Sequence, residues 1–73
     1  MKLDKKKVRK LLEERGWTNV ILADKLGLDY SYIYRIMKGS RNIGKKFITN
    51  LMVFCEQEKL DFMDFIIMSK DEH

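Results

Sequence analysis

The chain contains no proline, one cysteine and one histidine in 73 residues. Without proline, no fixed φ or missing N–H interrupts a helix anywhere along it. The lone Cys55 cannot close an internal disulfide, and the only histidine, His73, is the last residue. A catalytic nucleophile needs an activating base and a metal site needs clustered ligands; neither pattern occurs. Asp61 and Asp64 are spaced as helix-start residues rather than as a catalytic pair. No apolar run approaches the roughly 18 residues that span a bilayer. The start, MKLDKKKVRKLLEE, lacks the apolar stretch and small-residue cleavage site of a signal peptide. The expectations are a cytoplasmic, non-enzymatic chain with no cofactor, no metal and no membrane partner.

What is present is a foldable balance. Hydrophobic residues make up 45% of the chain and charged residues 36%, which fits a single domain over residues 1–73 rather than a disordered tail. Apolar residues recur at three- and four-residue spacing, so the expected fold is all-α. Helices are predicted at about 5–15, 19–26, 30–38, 45–57 and 62–68. The first shows Val8, Leu11 and Leu12 on one face, with Asp4 as cap and Gly16 as stop, and Trp17 beyond it anchors to the core. The fourth shows a stripe of Phe47, Ile48, Leu51, Met52 and Cys55. The fifth is announced by Asp61, with Leu60 and Phe65 spaced as a hydrophobic staple. The tail SKDEH is polar and expected to fray.

The most informative stretch is TNVILADKLGLDYSYIYRIMKG, residues 18–39. Thr18 can cap a short helix whose apolar stripe is Leu22, Ala23 and Leu26. Gly27 supplies the left-handed residue that lets the chain turn sharply. Asp29 can cap a second helix that buries Ile33 and Ile36 with Met37 beside them, and Gly39 closes it. Helices joined this tightly cross steeply, and Ala23 is the small residue such a crossing needs. This is helix-turn-helix geometry.

Charge is distributed unevenly. The net charge is +4, yet residues 1–10 carry +5 and residues 35–46 another +5, while 11–34 carry −2 and 56–73 carry −4. One basic segment begins on the second motif helix and continues past it, as a phosphate-contacting surface would. The lysines at 5–7 read either as a flexible basic arm or as a solubilising helix start. Because positive charge at a helix N-terminus is mildly unfavourable, the electrostatic role is the preferred one.

On Thr18, Leu22, Ala23, Leu26, Gly27, Ile33, Ile36, Gly39, Arg41, Asn42, Leu51 and the closing LDFMDFI, the chain resembles the Cro/phage-repressor (XRE-type) helix-turn-helix family. The resemblance spans about residues 6–67. It departs from the family pattern at Asn19, where glutamine is usual; at Val20 and Ile21, where charges are common; and at Ile43-Gly44, where proline often follows Arg-Asn. It implies a five-helix lambda-repressor-like DNA-binding domain, with residues 30–38 lying in the major groove.

What the resemblance implies about contacts can be set out by residue. Tyr30, Ser31 and Arg35 occupy positions that reach base edges, and Tyr34, on the same outward side, is expected to contact bases with them, whereas Tyr32, to one side, is expected to pack partly against the second or fourth helix. Arg35 is the best single reader, since guanidinium bonds guanine O6 and N7 together. Phosphate contacts fall to Asn19, Lys38, Ser40, Arg41, Asn42, Lys45 and Lys46. Phe62, Phe65, Ile66, Ile67 and Met68 offer more apolar area than one helix face can bury internally, so they are the expected homodimer surface. The expected function is a repressor-like, sequence-specific transcriptional regulator that binds double-stranded DNA as a homodimer. The competing reading is a protein-interaction module, such as an antitoxin, anti-repressor or recombination accessory factor, with a protein partner seated on Val20, Ile21 and the C-terminal apolar residues.

Overall fold

The structure, a computed structural model, describes residues 1–68. The expected polar tail, with His73, lies outside them. A short strand β1 (Lys2–Leu3) leads into α1 (Lys5–Arg15), α2 (Asn19–Leu26), α3 (Tyr30–Lys38) and α4 (Lys45–Glu58). A 3-10 turn (Phe62–Phe65) and a second strand β2 (Ile66–Ile67) follow. No helix among the described residues is long and apolar enough to cross a membrane.

Each of the first three helices is fixed at both ends by its own residues. The Lys7 N–H donates to Asp4 Oδ1 at 3.2 Å, the Ile21 N–H to Thr18 Oγ1 at 3.3 Å, and the Ser31 N–H to Asp29 Oδ2 at 3.1 Å. At the other ends the chain turns left-handed, and the residue after each glycine donates back across the last turn. Leu28 N–H to Ala23 O, at 2.9 Å, is the bond that closes α2 before the sharp turn. Gly27 has φ 66°, a value that favours glycine because it has no Cβ. The Asn50 amide also donates to Leu26 O at 2.8 Å, so α4 satisfies a carbonyl that α2 leaves open.

The core is one cluster. Val8, Leu11 and Leu12 of α1 meet Leu22, Ala23 and Leu26 of α2, Ile33, Ile36 and Met37 of α3, and the inner face of α4. That inner face is Phe47, Leu51, Phe54 and Cys55. The stripe predicted for α4 is therefore turned: Phe54 lies inside, Ile48 is half-buried and Met52 is 51% exposed. Trp17 sits half-buried at the margin of the core, edge-on to Phe54 at 6.0 Å, with the Arg15 and Lys25 cations over its ring.

The end of the chain departs from expectation. In place of an α-helix over 62–68, Asp61 caps a 3-10 turn by accepting from the Met63 N–H at 3.0 Å, and the chain then straightens. Ile66 and Ile67 pair antiparallel with Leu3 and Lys2, and the Asp4 N–H donates to Phe65 O at 2.8 Å. The physical reason is burial: an extended chain turns Leu3 and Ile66 inward together and leaves Lys2 and Ile67 outward. The ladder also settles the beginning of the chain. Lys5–Lys7 form the first turn of α1 and are not a flexible arm.

Candidate nucleic-acid interface

α2 and α3 pack closely, and Ala23, 3% exposed, leaves room for the approach. Because Ile33, Ile36 and Met37 turn inward, the 3.6-residue period sends Ser31, Arg35 and Lys38 outward as a single stripe. All three are exposed. The one ion pair among the described residues joins Arg15 to Glu58, at 2.7 Å. Asp29 is engaged in capping α3, so Arg35 is not tied to a carboxylate.

Tyr30 and Tyr34 flank that stripe on one side, 45% and 46% exposed, with ring centroids 6.1 Å apart. The Lys38 ammonium lies 5.7 Å from the Tyr34 ring, which extends the row by one turn. Tyr34 also borders a cleft with Arg9, Asn19, Met37 and Lys38. Arg9 was not anticipated: its Nη2 donates to Met37 O at 3.3 Å, so a guanidinium from α1 serves the carboxyl end of α3. The available signal was its place one turn after Lys5 on a basic helix start.

Tyr32 turns the other way. Its ring meets Phe47 edge-on at 6.2 Å, as the packing expectation had it. Its hydroxyl oxygen accepts from the Gly44 N–H at 3.2 Å, and the Arg41 guanidinium stacks 4.8 Å above its ring. Gly44 precedes α4 and offers no side-chain cap, and Tyr32 satisfies its backbone N–H. Beyond α3, the Ser40 hydroxyl donates to Arg35 O at 3.3 Å, which folds the loop back on the helix end. Arg41, Lys45 and Lys46 line one recess with Tyr32 and Asp29, and Arg41 also borders a second recess with Asn42.

The residues predicted to meet DNA thus fall on α3, at the start of α2, on the loop after α3 and at the start of α4. The proposed dimer residues do not all share one fate. Phe65 and Ile66, 6% and 7% exposed, belong to this chain's own core, and Phe62 is half-buried against it. Ile67 and Met68, at 45% and 53%, remain outside, as do Val20 and Ile21 on α2. Cys55 is 1% exposed. Burial pushes its thiol up to about 11, with Asp61 and then Asp64 adding to the effect, so it stays protonated and unreactive.

A helix-turn-helix family model matches residues 8–56, two-thirds of the chain and all of α2 and α3. The chain belongs to the Cro/phage-repressor helix-turn-helix family. Membership in this helix-turn-helix family supports a DNA-binding regulator in general terms. Searches of curated proteins and of solved structures returned no match.

Proposed function

We propose that this helix-turn-helix protein is a sequence-specific, repressor-like transcriptional regulator that lays α3 in the major groove. The observation that carries the reading is the outward stripe of Ser31, Arg35 and Lys38, flanked by tyrosines and followed by a carboxylate-free stretch holding Arg41 in the loop and Lys45 and Lys46 at the start of α4. Ser31 and Arg35 read base edges, and Tyr30 meets a thymine methyl or the adjoining sugar. Tyr34, bordering the Arg9 cleft, serves the edge of the groove. Asn19, Lys38, Ser40, Arg41, Asn42, Lys45 and Lys46 hold phosphates, and Arg9 joins them from α1. Phosphate contacts fix register and base contacts specify sequence.

So small a reading surface gains discrimination by acting twice, and we place the homodimer contact on Ile67 and Met68 with Phe62 at its edge. A two-fold pair would address half-sites about one helical turn apart. Selection of bound sequences from a random DNA pool tests function and symmetry together, with a palindromic consensus as the expected outcome. Arg35→Ala is expected to relax preference at one base pair by about 1–3 kcal/mol while weak binding to mixed DNA persists. Full discrimination by that variant would refute the assignment of Arg35. A monomer in sedimentation at every concentration, with and without the selected site, would refute the dimer.

A further inference from the structure

The first turn of α1 holds Lys5, Lys6 and Lys7 and no acidic residue. Cations there oppose the helix dipole, and none of the three finds a carboxylate within ion-pair distance among the described residues. Lys5 differs from the other two in being half-buried. Its ammonium lies against Gly39, so close that a Cβ built on that glycine would stand 3.0 Å from Nζ. The amino end of α1 therefore delivers a positive charge to the carboxyl end of α3, where the helix dipole favours it.

Lys5 is not alone there. Lys2 of β1, Arg41 and Asn42 line the same recess, of about 90 Å³, with Ile36 and Ile43 also lining it. Its lining includes three cations and an amide but no carboxylate. Cationic and amide donors with no carboxylate among them suit an oxyanion. Stacking on Tyr32 restrains Arg41, and the β1–β2 ladder fixes the backbone of Lys2 opposite Ile67.

We propose that this recess seats one phosphodiester of the DNA backbone, gripped by Lys2 and Lys5 from the start of the chain and by Arg41 and Asn42 from the loop after α3. The proposal rests on the DNA-binding reading above and adds to it a contact built before DNA arrives. A basic arm that ordered only on binding would spend conformational entropy at that moment, whereas a strand already paired does not.

The test uses the full chain with Lys2→Gln/Lys5→Gln and, as an equal-charge comparison, Lys7→Gln/Lys10→Gln. Lys7 and Lys10 border a different recess, with Glu14 and Asp64. Binding to the selected site and to mixed DNA is followed by fluorescence anisotropy across a salt series. The Lys2/Lys5 variant is expected to lower the log-affinity-versus-log-salt slope by about one, the signature of one lost phosphate contact. It should weaken both DNAs by the same factor, leaving their ratio unchanged, while Lys7→Gln/Lys10→Gln leaves the slope in place. If the Lys2/Lys5 variant behaves like the Lys7/Lys10 variant, the recess contact is refuted and the DNA reading stands. A fall in the ratio would also overturn it, because Lys5 would then be positioning α3 instead of holding phosphate. Saturable amide shifts at Gly39 and Asn42 with inorganic phosphate, alongside an unchanged DNA slope in the variant, would assign the recess to a free anion and refute the proposal. A wild-type chain that binds neither DNA at low salt removes both readings.

Discussion

The α2–α3 pair and the β1–β2 closure are held together by opposite means. Within residues 18–39 the helix ends are set locally, by caps two or three residues away, a glycine turn and a small residue where the helices cross. The closure joins Lys2 to Ile67 across almost the whole chain through a ladder only two residues long. Local contacts cost little loop entropy, and distant ones must recover it through burial. The closure is thus an edge that the rest of the core supports.

The same substitution on each side should separate the two. Ile33→Ala removes a side chain 1% exposed at the centre of α3 and is expected to cost about 2–5 kcal/mol in urea unfolding. Ile66→Ala, 7% exposed beside a two-residue ladder, should fall at or below the lower end of that range. It should also speed hydrogen exchange at Asp4, whose N–H is bonded to Phe65 O. Equal losses in the two variants would erase the distinction.

A smaller effect tests how local the turn energetics are. Gly16 and Gly27 have φ 67° and 66°, and a Cβ at either would touch nothing within 4 Å. Replacing either with alanine should therefore cost the backbone penalty alone, about 1–2 kcal/mol, and nearly the same at both sites. A much larger loss at Gly27 would mean that the sharp turn stores something the backbone angle does not describe. The smallest effect belongs to the Arg15–Glu58 pair. Its side chains are 32% and 31% exposed, so Glu58→Gln should change stability by less than about 1 kcal/mol and matter less as salt rises.

The same division explains which parts could be read in the sequence. Asp4, Thr18, Asp29 and the glycines that end α1–α3 act within one turn of themselves, so those helix bounds follow from spacing alone. For α4, Phe54 and Met52 are both apolar, and only the position of α2 and Trp17 decides that the ring goes in and the thioether out. In LDFMDFI, Asp61 marks the start of a helical turn and is silent on how far the turn runs. Whether Phe65-Ile66-Ile67 continue as helix or straighten depends on Leu3, more than sixty residues earlier. The exposed stripe of α3 followed from its buried one. The Arg9 cleft and the Lys2–Lys5 recess did not, because each needs α1 or β1 brought against the end of α3.

The aromatic residues also give the molecule two optical reporters with separate duties. All three tyrosines lie on α3, two of them exposed, whereas the single tryptophan sits against Phe54 with the Arg15 and Lys25 cations over its ring. Tryptophan emission should then follow unfolding, and tyrosine quenching should follow occupancy of the reading helix. Both events can be watched in one unlabelled sample.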